Sequence, residues 1–152
     1  MHLFNMKRKI LNFGFMSVLA LSLFTNAKCS DDDESRSSCG SAAVIAPGFF
    51  ETAESENFDF INVEILDNCL NVEILAIGCD GNNWSLVLVD SGRITETDPT
   101  RRNLKLVFSN EESCETLITQ SRNFDLQNLR MEGSETIELK IEGLDDSLIY
   151  NY

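Results

Sequence analysis

From Phe58 to the C-terminus the hydrophobic residues recur with a period of two, and that alternation limits the fold more than any other feature of the chain. Ile61, Val63 and Ile65 alternate with Asn62 and Glu64 before a turn at Asp67-Asn68. Leu70, Val72, Ile74 and Ala76 alternate with Asn71 and Glu73. Gly78-Cys79-Asp80-Gly81-Asn82-Asn83 follows, a loop of residues that tolerate positive φ. Trp84 to Val89 is apolar on both faces, as a central strand is, and Asp90-Ser91-Gly92 is expected to close it. Asp98-Pro99 marks the next loop, and Leu104, Leu106 and Phe108 form a fourth strand. Glu115 to Phe124 reads as a fifth, and Asp125 to Leu129 suits a corner or a single helical turn. Ile137, Leu139 and Ile141 make a sixth strand, and Leu148, Tyr150 and Tyr152 a seventh. No long run with a 3.6-residue period exists to cover a parallel sheet. Seven short strands with frequent turns predict an all-β, antiparallel two-sheet sandwich of immunoglobulin-like architecture over residues 58–152. Trp84 heads the buried strand and is expected in the core rather than stacked on a ligand.

Strand direction also constrains the cysteines. Cys69 and Cys79 flank one strand, so an extended chain holds them roughly 30 Å apart. A disulfide needs Cα atoms about 4.4–6.8 Å apart, which excludes that pair. Along an antiparallel path the second strand ends near Cys79, the third returns, and the fourth ends near Cys114. Cys79 and Cys114 therefore share a rim, and Cys39 is left for Cys69. Zinc is the other use of four cysteines, but C-x-x-C spacing is absent and the sole histidine is His2.

The fifth cysteine, Cys29, has a different setting. Lys7-Arg8-Lys9 and the apolar run Ile10 to Thr25 have the order of an export signal, and Met6 could equally start it. The run is short for a membrane-spanning helix, which needs roughly 20 apolar residues, so a permanent anchor is the weaker reading. Cleavage before Cys29 would free that residue for lipidation, whereas cleavage after Ala27 would release a soluble protein. Lys28 fits the first poorly, because a small residue usually precedes the cysteine. The residues that follow favour it. Cys29-Ser30-Asp31-Asp32-Asp33-Glu34 resembles the acidic tract after the lipidated cysteine in surface-exposed lipoproteins of the Bacteroidota. Lipidation at Cys29 also leaves an even set of four cysteines for an oxidising compartment. Residues 1–28 are thus expected to be a lipoprotein signal peptide, and 29–57 a lipid anchor with a flexible acidic linker. Within that linker, Ala42 to Phe50 is an apolar island able to dock on the domain.

A second resemblance covers the domain. Asn68-Cys69-Leu70, Gly78-Cys79, Leu104-Lys105-Leu106, Cys114-Glu115, Phe124-Asp125-Leu126-Gln127-Asn128-Leu129 and Leu148-Ile149-Tyr150 occur in this order. The series resembles a group of small uncharacterised lipoproteins of the Bacteroidota. It implies an exported location and a domain extent, and brings no activity, substrate or site residue.

Charge narrows the partners. Four of the 12 Lys and Arg, and none of the 25 Asp and Glu, lie in residues 1–28. Residues 29–152 therefore carry 8 basic against 25 acidic side chains, a net charge of −17. Nucleic acid is not an expected partner, since duplex binding needs clustered Lys and Arg. Asp145-Asp146 and Glu111-Glu112 read as solvated turn charges. Asp80-Gly81-Asn82-Asn83 could offer oxygens to Ca²⁺ but lacks the distal Glu of an EF-hand and reads as a turn. Arg101-Arg102 could clamp a carboxylate or sulfate, or simply offset neighbouring acids. No Ser–His or Cys–His pair and no nucleotide fingerprint is present, so no enzyme, cofactor or metal is expected.

The chain is expected to be a lipoprotein of the outer membrane, on the cell surface or the periplasmic face. Acylated Cys29 would enter the bilayer, and loops would meet a protein or glycan partner. The alternative is an exported inhibitor or accessory subunit that inserts a loop such as Arg93 to Arg102 into its target. A carboxylate-only hydrolase would need two carboxyl groups converging at about 5–9.5 Å.

Overall fold

The computed structural model describes residues 39–152; Cys29 and the expected signal peptide lie outside the described residues. In chain order the elements are β1 (Ser41–Ala42), β2 (Val44–Ile45), α1 (Pro47–Thr52), β3 (Asp59–Leu66), β4 (Cys69–Gly78) and β5 (Trp84–Thr95). Then come β6 (Arg101–Asn110), β7 (Thr116–Asp125), a 3-10 turn (Gln127–Leu129), β8 (Thr136–Ile141) and β9 (Leu148–Asn151). They form two sheets, one ordered β1-β7-β4-β3 and the other β2-β5-β6-β8-β9. The two-sheet sandwich that the alternation predicts is the architecture observed.

Its core follows from the same alternation. In β4, Leu70, Val72, Ile74 and Ala76 are buried and face Leu88, Leu104, Leu106, Phe108, Ile137, Leu139 and Ile141 of the second sheet. Trp84 belongs to this core and packs edge-on to Phe108 at a ring separation of 4.9 Å. The β3–β4 hairpin turns on Asp67-Asn68, with Asp67 at φ 54°, a region that Asp tolerates better than most residues.

Four features depart from expectation. First, the pairing is mixed rather than antiparallel: β1–β7, β2–β5 and β6–β8 are parallel. Between β6 and β8 the chain passes through β7 in the other sheet, and a parallel pair needs such a crossover. Second, the expected boundary between residues 57 and 58 falls inside the fold. From Cys39 onward the expected linker belongs to the sandwich. β1 and β2 close one edge of each sheet, Ala43 between them is 1% exposed, and its N–H donates to the Asp125 carbonyl at 2.9 Å. Third, Ile61 is 53% exposed, because a bulge between Phe60 and Asn62 gives its inward place to Phe60. Fourth, Asp90-Ser91-Gly92 does not end the strand. Gly92, at φ 67°, forms a bulge, and β5 continues to Thr95.

Candidate functional site

Both rims of the sandwich are stapled. Cys39 is bonded to Cys69 at the start of β4, with Cα atoms 5.1 Å apart, and Cys79 is bonded to Cys114 with Cα atoms 4.9 Å apart. These are the pairs that strand parity requires.

The second staple holds a loop that wraps a carboxylate. Glu112 Oε2 accepts backbone N–H groups from Cys79 (2.6 Å), Asp80 (3.3 Å) and Gly81 (3.2 Å), and Oε1 accepts from Asn83 (3.3 Å). Such a nest of N–H groups favours an anion. Burial pushes the Glu112 carboxyl up. The N–H groups of Cys79, Gly81 and Asn83, with the Asp80 side chain, outweigh it and hold the group at about 2. In the sequence Glu112 reads as a solvated turn charge; its partner loop, 29 to 33 residues away, becomes its neighbour only through the fold. Asp80 turns its own carboxylate onto Asn82, whose backbone and side-chain N–H groups lie at 3.0 and 2.7 Å. Among the described residues no three His, Cys, Asp or Glu are placed to hold a metal ion.

The two adjacent arginines point to opposite faces of β6, and each meets a carboxylate of its own chain. Arg101 grips Glu138 with Nε at 2.8 Å and Nη2 at 3.1 Å on the outer face. Arg101 and the Ser147 hydroxyl hold Glu138 below the usual carboxylate range. Arg102 turns inward to Asp90. Offsetting neighbouring acids is therefore what both arginines do. The expected loop from Arg93 to Arg102 is shorter than drawn, since β5 and β6 take up its ends. Only residues 96–100 lie between the two strands, and they contain a cis Asp98–Pro99 bond. At the base of this hairpin Arg93 pairs with Glu51 of α1.

A concavity of the described residues lies elsewhere, between the segment entering β3 and the β8–β9 turn. It is an open groove of about 850 Å³, within the range of ligand clefts, roughly 300–1,000 Å³. Phe58, Phe60, Leu144 and Leu148 line it, half-buried against the core. Phe58 packs edge-on to Phe60 at 5.0 Å and to Phe108 at 5.9 Å, which fixes the aromatic wall. Glu56 and Asp59, from the segment entering β3, and Glu142, Asp145 and Asp146, after β8, also line it. Lys105, the one base in the lining, is occupied: its ammonium donates to the Phe50 carbonyl at 2.9 Å and lies 3.5 Å from Glu142. Lys140 ties down the β8–β9 turn through the carbonyls of Leu144 and Asp145, both at 2.7 Å. In the sequence Asp145-Asp146 reads as turn charge and the groove is not legible, because its walls lie some 80 residues apart in the chain.

No family model matches this chain, and no curated protein matches it. Solved structures that share its fold include two from Bacteroides. One is a protein of unknown function DUF1344 from Bacteroides vulgatus, at 20% identity and TM-score 0.51 over 74% of this chain. The other is a NigD-like immunity protein from Bacteroides caccae, at 10% identity and TM-score 0.51 over 72% of this chain. The chain spans 56% and 59% of the length of these proteins, respectively.

Proposed function

We propose that the protein is an exported, lipid-anchored lipoprotein of the outer membrane whose β-sandwich is a binding or structural module. It would work by presentation and not by catalysis. Acylated Cys29 enters the bilayer, and the sandwich carries the surface that a partner meets. The observation that supports this reading is cysteine use. The four cysteines of residues 39–152 are consumed in two disulfides, and Cys29 is the remaining cysteine of residues 1–152. Disulfides of this kind persist in oxidising compartments, and an odd cysteine in such a chain calls for another use. A single acyl chain binds a bilayer only marginally, so stable anchoring at Cys29 requires more than one. Expression in a Bacteroides host with fatty-acid labelling tests the anchor. The native chain should take up label and sediment with membranes, and Cys29→Ala should do neither. A Cys29→Ala chain that stays with the membrane sinks the anchor.

A second reading is an exported inhibitor or accessory subunit. The β5–β6 hairpin favours it: its tip lies beyond the two strands, and half-exposed Ile45 and Ile94 flank its base. The fold shared with a NigD-like immunity protein is compatible with that role. Pull-down with the native chain against a variant carrying Gly in place of Glu96 and Asp98 separates the readings. An inhibitor loses its target with the tip.

A further inference from the structure

We propose that the groove between Phe58–Phe60 and the β8–β9 turn is the docking site for a short basic polypeptide segment, with Lys or Arg flanking large apolar side chains. This rests on the reading of the sandwich as a binding module and is independent of the lipid anchor.

Three observations define the occupant. Part of the lining is apolar and open: Phe58, Phe60, Leu144 and Leu148 are only partly covered by the core they pack against. An apolar side chain placed there leaves water, and a cation placed beside the Phe58 ring meets its negative face. The acids of the lining are uncompensated. Among the described residues Glu56, Asp59, Asp145 and Asp146 form no ion pair, and the only lining base is already held by Phe50 and Glu142. Acids from two segments line the same groove as the apolar residues, which matches a chain carrying both cations and apolar side chains. The size is also informative. A lone ammonium would meet one or two of these acids, whereas a groove of about 850 Å³ takes several residues.

The same charge disposes of other occupants. An anionic membrane surface or a nucleic acid would face these acids. A neutral glycan could stack on the phenyl rings but would leave the acids without a counter-charge.

The test uses the full chain bearing Cys29→Ala, exported to and purified from the periplasm. Fluorescence anisotropy with a labelled KLKFKLK peptide is the readout. Binding should weaken at least about tenfold in the triple variant Asp59→Asn, Asp145→Asn, Asp146→Asn. It should change less than about twofold when three exposed acids elsewhere are removed (Glu64→Gln, Glu96→Gln, Glu132→Gln). It should also weaken several-fold between 50 and 300 mM NaCl, as screening requires. KGKGKGK, with the charge but without the apolar centre, should bind at least about tenfold more weakly. Equal loss in both triple variants would show attraction to net charge alone and overturn the proposal. So would binding of ELEFELE, displacement of the peptide by cellohexaose, or no binding by a chain whose circular dichroism shows it folded. Fractionation of Cys29→Ala reports on the anchor alone, so the two readings fail separately.

Discussion

Arg102 and Asp90 meet inside the sandwich, with Nε 3.0 Å from Oδ2 and Nη2 3.2 Å from Oδ1, and their side chains are 7% and 0% exposed. Asp90 Oδ1 also accepts the Gly92 N–H at 2.6 Å, so the pair fastens the β5 bulge to β6. A charge left behind at such a site has no water to turn to. Asp90→Ala should therefore cost about 3–5 kcal/mol in urea unfolding. The double variant Asp90→Leu, Arg102→Met should cost clearly less than the sum of its singles, because no orphan charge remains. Additive losses would show that the two side chains act independently.

Glu112 makes stability depend on acid. Its folded pKa of about 2 lies below its ordinary 4.5, so the unfolded chain takes up the proton first. Its contribution is complete above about pH 4.5 and is lost as pH falls through about 2. The urea midpoint of the native chain should fall between pH 5 and 2. Glu112→Gln should lower the midpoint at pH 7 and flatten that fall. Parallel profiles for the two chains would dismiss the nest as a stabilising element.

Gly78 is where this nest meets the core. A Cβ at that position would lie 2.6 Å from Glu112 Oε2 and 2.8 and 2.9 Å from two atoms of the Trp84 ring. Neither neighbour moves freely, one being held by four N–H groups and the other buried. Gly78→Ala should destabilise by about 1–3 kcal/mol. Trp84→Phe should relieve part of that cost, and the double variant measured by thermal unfolding checks the coupling.

The disulfides close loops of similar length, with partners 30 and 35 residues apart. Replacing either pair by Ala should lower stability by about 2–4 kcal/mol. Peptide mapping without reductant should recover Cys39–Cys69 and Cys79–Cys114; a peptide joining Cys69 to Cys114 would contradict the topology.

Much of this architecture is legible in the sequence, and the parts that are not have physical reasons. Leu70, Val72, Ile74 and Ala76 announce β4 because alternation is a property of neighbours. Asp67-Asn68 announces its hairpin because few residues accept that turn. The two-residue strands β1 and β2 are too short to show any period. Alternation carries no strand direction, so the parallel β6–β8 pair cannot be seen in it. Ile61 looks like a core residue until the bulge moves Phe60 into its place. The groove and the Glu112 nest are each built from segments distant in the chain, and only the closed sheets bring their parts together.

The Cys39–Cys69 bond has a mechanical consequence. The strands that follow Cys39 are each two residues long and would peel easily one hydrogen bond at a time. Any tension applied upstream of Cys39 is divided at that residue, and a covalent path carries part of it directly to β4. β4 lies inside its sheet, laddered to β3 on one side and to β7 over ten residue pairs on the other. A pull arriving there must shear two ladders at once. The staple thus moves the point of mechanical failure from the short edge strands of the domain to its interior.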